Sequence, residues 1–319
     1  MDALSDVLRI ARLAGGVFLH AELTAPWCIA GRIAPEMCAP FLGSVRHLVP
    51  YHYVLEGELA FALDGAAPCT LRSGEVVMFP RNDLHKMGSD LACPAVKIRD
   101  VLRPGGIGTT IQTIRHGHGG ALTRLVCGFL GCDIAQGNPV FETLPSVILL
   151  RIEEADSAEW IRTTFQYAAG EIAAGRAGSE TVLAKLSELL FVEAVRRYAK
   201  QLPPGQTGWF AGLQDPVIAR VLALMHGDIT RNWSVEDLGR EAGLSRSALA
   251  DRFTRLLGMP PMQYLGQWRM HVAAQSLRSS RLSVARLAEQ VGYESEAAFS
   301  RAFRKTFGTA PASWRRLNR

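Results

Sequence analysis

The feature that most constrains the fold of this 319-residue chain is a segment that occurs twice in its last third. The sequence WSVEDLGREAGLSRSALADRFTRLLGMPPMQYL (233–265) matches LSVARLAEQVGYESEAAFSRAFRKTFGTAPASWR (282–315). The recurring positions are Ser234 with Ser283, Gly243 with Gly292 and Ser245 with Ser295. Serine favours the N-cap of a helix, and glycine favours the left-handed residue at its end. Each copy therefore predicts a short helix, a turn and a longer helix, which is a helix-turn-helix unit.

An apolar stripe joins the two copies. Residues 262–280 have apolar side chains at positions 265, 268, 272 and 277, the spacing of one helix face. A single helix here would hold the two longer helices of the repeat at a fixed distance. A pair held in this way fits successive major grooves on one face of DNA, about 34 Å apart. A plain helical bundle that binds no nucleic acid is the alternative.

The charge of the chain is uneven. Residues 201–319 contain 16 Lys and Arg against 9 Asp and Glu, a net charge of +7. Residues 1–200 contain 19 against 21, a net charge of −2. A basic C-terminal module that binds a polyanion would give this asymmetry, and chance surface charge is the alternative.

Both copies of the repeat resemble a known DNA-binding motif. The segment VGYESEAAFSRAFRKTFGTAPASWRR (291–316) resembles the second helix-turn-helix signature of AraC/XylS-type transcription regulators, and AGLSRSALADRFTRLLGMPPMQYLGQWRM (242–270) resembles the first. The resemblance covers about 215–317 and implies a seven-helix domain that binds double-stranded DNA. It also implies a regulator that often acts as an activator and contacts RNA polymerase. The side chains expected in the core of this domain are Trp233, Leu238, Leu249, Phe253, Leu287, Phe299 and Phe303.

The resemblance implies which side chains face DNA. These are Arg246, Ser247, Ala250 and Asp251 on the first longer helix, and Glu296, Ala297, Ala298 and Arg301 on the second. We expect Arg301 to contact guanine, because a bidentate Arg–guanine pair is the commonest specific contact. The side chains expected to hold phosphates, which position the protein without reading sequence, are Arg246, Arg252, Arg304 and Lys305. The acids Asp251 and Glu296 either accept from cytosine or pair with Arg255 and Arg301 on a solvated helix face.

The first two-thirds of the chain have strand character. Between about 25 and 135, apolar runs such as YHYVLEGELAFAL (51–63) alternate with Gly, Pro, Asn and Asp turns, which predicts a sandwich or barrel. The segment GEVVMFPRNDLH (74–85), with YVLEGELAF (53–61) before it, resembles the two motifs of cupin barrels. Together with CGFLGC (127–132), it is similar to the cupin-like sensor domains joined to AraC-type readers. The expected fold class is α+β with several domains: an N-terminal cupin-like β-barrel with appended helices, and a C-terminal all-α domain.

Histidines in these motifs raise the question of a metal. Metal-binding cupins use two histidines and a glutamate from the first motif and a histidine from the second. Here the first motif offers His47 and His52, but Pro50 stands where the glutamate is expected, and His85 matches the second motif. His52 and His85 either bind a divalent metal, with a cysteine completing the site, or line a barrel that takes a small organic ligand. We favour the organic ligand for His52 and His85, in which case no cofactor is required. A second histidine segment, HGHGG (116–120), is either a metal site or a Gly-rich turn.

Cysteine spacing leaves three interpretations open. Cys127 and Cys132 are five residues apart, which is not the C-x-x-C spacing of a zinc or thioredoxin-type motif. They either pack in the core, act as a redox switch, or join His52 or His85 at a metal. The other cysteines, which extend the redox option without identifying a pair, are Cys28, Cys38, Cys69 and Cys93.

The segment that follows the barrel has a helical pattern. Residues 157–200 contain a wide apolar stripe that packs on the barrel or on a partner helix, and the family resemblance favours a homodimer through it. The segment QLPPGQTGWFAG (201–212) predicts an interdomain linker. The expected organisation is therefore a sensor and dimerisation domain over 1–200, this linker, and a DNA-binding domain over 213–319.

These features together predict a DNA-binding transcription regulator that responds to a small molecule or an oxidant, and not an enzyme. A metal-dependent cupin enzyme that carries a DNA-binding tail is the alternative, although no complete active site is found. No apolar run approaches the roughly 18 residues that span a membrane, and the N-terminus does not resemble a secretory leader. We expect a cytoplasmic protein with reduced thiols and no membrane partner.

Overall fold

The computed structural model divides into two compact units. The residues that it describes are 2–11, 13, 18–36, 38, 45, 47–101, 111–132, 138–151, 155–174 and 176–318. The N-terminal unit comprises Leu13–Asp133 and Leu144–Tyr198, and the C-terminal unit comprises Ala199–Arg319 together with Met1–Arg12 and Ile134–Thr143. This division differs from the expected 1–200 domain. The reason is that helix α1 (Ala3–Ala11) buries an apolar face, which includes Val7, against helix α7 (Pro216–Gly227) of the C-terminal unit.

Eleven strands form two sheets in the described part of the N-terminal unit. They are β1 (Phe18–Thr24), β2 (Cys28–Gly31), β3 (His47–Glu56), β4 (Glu58–Leu63), β5 (Cys69–Arg72), β6 (Val76–Met78), β7 (His85–Gly88), β8 (Val96–Lys97), β9 (Ile111–Gly117), β10 (Leu122–Cys132) and β11 (Ile148–Leu150). The six-stranded sheet has the order β11-β6-β3-β10-β1-β9, and the five-stranded sheet has the order β5-β4-β7-β2-β8. The pairs β1–β9 and β2–β8 are parallel, and the other neighbours are antiparallel.

Alternation along the strands places one apolar core inside this unit. Leu125, Cys127 and Phe129, at every second position of β10, belong to the core cluster. On the opposite face of the same sheet, Tyr53 stacks on Phe165 of helix α4 (Ala155–Ala174) with ring centroids 4.1 Å apart. One face of the sheet thus covers the core and the other supports helices, which confirms the expected cupin-like barrel with appended helices.

The helices are segregated as the sequence predicts. The N-terminal unit also has α2 (Ile98–Val101) and α5 (Ser179–Gln201), and the C-terminal unit has α3 (Pro139–Thr143), α6 (Trp209–Gln214), α8 (Val235–Ala242), α9 (Arg246–Leu257), α10 (Pro261–Ser279), α11 (Val284–Gln290), α12 (Glu296–Phe307) and α13 (Pro311–Leu317). All of 216–317 is described, and its seven helices, α7 to α13, match the number that the resemblance implies. Among the described residues, no helix is both long enough and apolar enough to cross a bilayer.

Part of the expected linker belongs to the core instead. Trp209 and Phe210, at the start of α6, are each 2% exposed. The indole Nε1 of Trp209 donates to the hydroxyl of Tyr264 at 2.7 Å, and that hydroxyl is also hydrogen bonded to Nε2 of His226 at 2.7 Å. The linker prediction for 201–212 is therefore wrong from residue 209 onward, because burying two aromatic rings favours a packed helix over an extended segment.

Candidate DNA-binding interface and effector site

Serine caps begin both helices of the first helix-turn-helix unit, as the sequence predicts. Ser234 and Asp237 form a capping box: Oγ of Ser234 accepts from the Asp237 amide at 3.0 Å, and Oδ2 of Asp237 accepts from the Ser234 amide at 3.2 Å. Gly243 follows α8 with a left-handed φ of 71°. Oγ of Ser245 then accepts from the Ala248 amide at 3.3 Å, which fixes the start of α9.

The second unit has the same construction. Oγ of Ser283 accepts from the Arg286 amide at 3.2 Å, and Oγ of Ser295 accepts from the Ala298 amide at 3.2 Å. Gly292 has a φ of 77° in the turn between α11 and α12. The sequence repeat is therefore a structural repeat, and the two predicted helix-turn-helix units are confirmed.

The longer helices α9 and α12, here called the recognition helices, each bury one face. Leu249 and Phe253 of α9, and Phe299 and Phe303 of α12, are all fully buried. The seven apolar positions expected in the core are all buried: Trp233, Leu238, Leu249, Phe253, Leu287, Phe299 and Phe303. Because these side chains hold one face inward, the opposite face of each recognition helix is presented to solvent.

That outer face contains most of the residues expected to contact DNA. The exposed ones are Arg246, Ser247, Asp251, Glu296, Ala297, Arg301, Arg304 and Lys305, and the half-buried ones are Ala250 and Ala298. Within the described ranges, no ion pair joins Asp251 to Arg255 or Glu296 to Arg301. These carboxylates and guanidinium groups are thus accessible to a ligand, and their contacts with DNA stay a prediction.

Arg252 makes an ion pair that was not predicted from the sequence. Its Nε and Nη2 both donate to Oδ2 of Asp215, at 2.9 and 2.7 Å, and Asp215 is the N-cap of α7. Although burial opposes it, this pairing and the amides of α7 hold the pKa of Asp215 below its usual range. Arg252 therefore holds α9 to the start of α7, and its expected contact with a DNA phosphate stays a prediction. Arg246, by contrast, makes only an exposed ion pair with Glu236 at 3.1 Å, which leaves it available.

Arg269 of α10 connects the two helix-turn-helix units. It was not among the residues predicted from the sequence to be important. Its Nε and Nη2 donate to the carbonyls of Ile229 and Arg231, at 2.9 and 2.8 Å, in the loop before α8. Its Nη1 donates to the carbonyl of Gly292 at 3.3 Å, in the turn before α12. We call these three hydrogen bonds the Arg269 clamp. One signal was present in the sequence, since Arg269 is the only Lys, Arg, Asp or Glu between 261 and 277.

His52 and His85 do come together in the N-terminal unit. Their ring centroids are 5.6 Å apart, and the His85 ring stacks on Phe79 at 3.9 Å. Nδ1 of His85 is 2.9 Å from the carbonyl of Asp83, whereas neither ring nitrogen of His52 has a hydrogen-bond partner among the described residues. Burial, with a smaller contribution from His85, lowers the pKa of His52 to about 3, and burial also lowers the pKa of His85. Both rings are therefore neutral at neutral pH.

The described residues give no support to a metal site. Among them, no group of three or more His, Cys, Asp and Glu side chains is placed to hold an ion. His47 cannot complete a site with His52, because five residues along β3 place the two on opposite faces, and its Nε2 is hydrogen bonded to the carbonyl of Pro80. In HGHGG, Nδ1 of the exposed His118 is bonded to the carbonyl of Pro26 at 2.7 Å, which agrees with a turn.

Cys127 and Cys132 lie on opposite faces of β10. Five residues of strand separate them by about 16 Å, and a disulfide requires Cα atoms closer than about 7 Å. Both are buried, and burial raises the pKa of each thiol. The structure therefore favours packing for both residues and excludes a disulfide between them in this fold.

Comparisons with known proteins cover the whole chain. A family model described as Cupin matches residues 2–200, and one described as a helix-turn-helix domain matches residues 238–317. An AraC-like transcription regulator of Streptomyces lividans is 30% identical over 99% of this chain and 98% of its own. The HTH-type transcriptional regulator AlkR of Acinetobacter baylyi is 28% identical over 99% of both chains. Among solved structures, the DNA-binding domain of AdpA in complex with a target DNA is 33% identical over 32% of this chain and 92% of that one, with a TM-score of 0.31.

Proposed function

This chain belongs to the AraC-like transcription regulators with a cupin N-terminal domain, and we propose that its recognition helices enter two successive major grooves of a promoter. The observation that carries this proposal is the pair of serine-capped helices joined by α10 and the Arg269 clamp. A rigid connection between two such helices allows both to enter successive major grooves on one face of the DNA, about 34 Å apart. Arg301 then reads a guanine, while Arg246, Arg304 and Lys305 hold phosphates.

We propose that a small organic effector binds beside His52. A neutral imidazole has one donor and one acceptor, and a buried polar group without partners is costly. An effector with a hydroxyl, amide or carboxyl group would satisfy both nitrogens, while the surrounding apolar side chains, such as Phe79, bind its hydrocarbon part. Binding would then shift the population of DNA-binding states.

We further propose a cytoplasmic homodimer that contacts RNA polymerase. The described helices that follow the barrel present large apolar side chains to solvent, since Tyr167 of α4 and Leu189 of α5 are 50% and 48% exposed. Exposed apolar groups on neighbouring helices suit a partner helix. Sedimentation of the full chain at several concentrations tests this, and a monomer at all of them contradicts it.

Selection of binding sites from a random DNA library tests the proposed DNA-binding mode. The selected sequences should contain two conserved blocks centred about 10 base pairs apart, and footprinting should protect the major groove at both. Binding should weaken steeply with salt concentration. One block, or two blocks with no fixed spacing, would show that the recognition helices do not act together.

Arg301→Ala and Arg304→Ala form a matched pair of variants on the same helix. Arg301→Ala should lose about 1–3 kcal/mol of binding free energy on the selected site and little on a site mutated at the contacted guanine. Arg304→Ala should weaken binding to all sequences alike and lower the salt slope by about one. If both variants behave in the same way, the assignment of Arg301 as the base contact is wrong.

A further inference from the structure

The loop that leads into α8, residues 228–233, is held in place by several hydrogen bonds. Oδ1 of Asp228 accepts from the Thr230 hydroxyl at 2.9 Å and from the Arg231 amide at 3.1 Å. The indole Nε1 of Trp233 donates to the Asp228 carbonyl at 3.0 Å, and the Arg269 clamp holds two carbonyls of the same loop. Because the N-cap of α8 follows directly, the position of this loop on the first helix-turn-helix unit is fixed.

Arg231 extends from this loop and is exposed. Its Cζ atom lies 3.8 Å from the centroid of the Trp233 ring, and Trp233 is itself buried. Stacking orients the plane of the guanidinium group, but it uses none of the N–H donors at the edges of that plane. Within 216–317, which the structure describes in full, no group accepts from these donors and no carboxylate forms an ion pair with Arg231. The side chain is thus an oriented cation with its donors free for a ligand.

The place of Arg231 in the fold indicates the chemistry of that ligand. When the second helix of a helix-turn-helix unit lies in the major groove, the first helix crosses the sugar–phosphate backbone. A loop that leads into α8 therefore approaches this backbone once α9 is in the groove. A phosphate group presents two oxygens that match one edge of a guanidinium group, and the two can form a pair of parallel hydrogen bonds.

The repeat places a second arginine at the equivalent position of the other unit. With the serine caps of the two copies aligned, Asn232 of the first copy corresponds to Arg281 of the second. Arg281 is exposed, and a hydrogen bond of 2.5 Å from Nη2 of Arg315 to the Leu282 carbonyl holds the adjacent backbone. Leu282 aligns with Trp233, so the ring that orients the first arginine has no counterpart at the aligned position.

We propose that Arg231 and Arg281 each bind a phosphate of the DNA backbone, one beside each major groove that a recognition helix enters. This inference rests on the proposed function and adds to it two contacts that hold the first helix of each unit against the backbone. Arg231 contributes more to affinity, because its stack on Trp233 orients it before DNA binds, whereas Arg281 loses side-chain freedom on binding. Both contacts position the protein without reading sequence.

The salt dependence of binding tests the proposal. Fluorescence anisotropy is measured with the full chain on the selected DNA site at several salt concentrations. Arg231→Gln and Arg281→Gln should each lower the slope of log K against log salt by about one, so the weakening that each causes should be about threefold smaller at 200 mM salt than at 50 mM. The weakening should be the same on a site that is mutated at a contacted base.

Two further variants serve as controls. Arg231→Lys keeps the positive charge and should keep the slope of the unchanged chain. Arg220→Gln removes an exposed arginine of α7, which lies outside both copies of the repeat, and should bind DNA like the unchanged chain. Urea unfolding shows which variants keep the fold. Arg281→Gln removes no stacked side chain, so it tests the proposal even if Arg231→Gln loosens its loop.

Ethylation of single phosphates locates the two contacts. The phosphates whose ethylation blocks binding are mapped for the unchanged chain and for each variant. One blocking position beside the first conserved block should be lost with Arg231→Gln, and one beside the second block with Arg281→Gln.

Unchanged slopes and unchanged blocking positions in the folded variants would overturn the proposal, and so would a weakening confined to the selected site. These results differ from a failure of the proposed function itself, in which the unchanged chain would select no pair of blocks at fixed spacing.

Discussion

Replacing Gly292 by alanine tests whether the Arg269 clamp fixes the two helix-turn-helix units, and the repeat supplies its own control. Gly243 and Gly292 occupy the same place in the two copies and have nearly the same φ, 71° and 77°. A Cβ at Gly243 has no atom within 4 Å, whereas one at Gly292 lies 2.7 Å from the Thr230 carbonyl oxygen and 2.8 Å from Nη2 of Arg269. The two substitutions therefore share the backbone strain and differ in the contacts that the added Cβ makes with Arg269 and with the loop that Arg269 holds.

The expected magnitudes follow from these contacts. A non-glycine residue in the left-handed region costs about 1–2 kcal/mol, which is the expected loss of unfolding free energy for Gly243→Ala. Gly292→Ala adds the displacement of Arg269 and the weakening of hydrogen bonds from a charged donor, each about 1.5–3 kcal/mol. We therefore expect a total loss of about 3–5 kcal/mol for Gly292→Ala.

Urea unfolding of the two variants measures this difference. DNA binding gives a second readout: Gly243→Ala should keep the preference for one spacing of the two blocks, and Gly292→Ala should tolerate one inserted base pair with a smaller loss of affinity. Equal destabilisation of both variants, with the same spacing preference, would show that the clamp does not hold the units together.

Three further predictions concern buried polar groups. Arg252→Ala should lower the unfolding free energy by about 1–3 kcal/mol in urea, because it leaves the cap Asp215 without its partner, and an unchanged value would show that this ion pair does not stabilise the fold. His52→Leu should raise the thermal midpoint because it removes a polar group that has no partner among the described residues, whereas His226→Leu should lower it because the buried Tyr264 hydroxyl loses a hydrogen-bond partner. Shifts of the same sign would contradict this. As pH falls from 6.5, the unfolded chain protonates both histidines while the folded chain, with pKa values of about 3, does not. Each of the two histidines should therefore lower the unfolding free energy by about 1.4 kcal/mol for every unit by which the pH falls, as measured by urea unfolding at several pH values. His52→Leu should remove the contribution of His52.

Local signals explain why the C-terminal unit could be predicted so fully. Each serine cap and each glycine turn depends on residues within one or two helical turns, so the repeat alone locates the helices. The inward face of each recognition helix follows from the spacing of Phe299 and Phe303, and of Leu249 and Phe253. Which of the outward-facing residues contact DNA depends on the DNA that is bound, so the repeat alone does not predict those contacts.

The features that could not be predicted from the sequence depend on contacts between residues far apart in the chain. The Arg269 clamp joins residues 23 to 40 positions apart. The short spacing of Cys127 and Cys132 was misleading, because nearness in sequence means nearness in space on a helix but not on a strand. The ion pair of Arg252 was also beyond sequence prediction, since its partner Asp215 lies 37 positions away.

The position of α1 has a consequence for how the chain is made. This helix is synthesised before the N-terminal unit, but α7, the helix that covers its apolar face, is synthesised more than 200 residues later. At roughly 5–20 residues per second, Val7 and Ala11 remain uncovered for about ten seconds or more while the N-terminal unit is completed. One part of the C-terminal unit is thus synthesised before the N-terminal unit and the rest after it. A fragment that starts at residue 199 would lack this helix. A tag fused to residues 1–11 would disturb the C-terminal unit, to which α1 belongs, although it lies next to the N-terminal unit in the sequence.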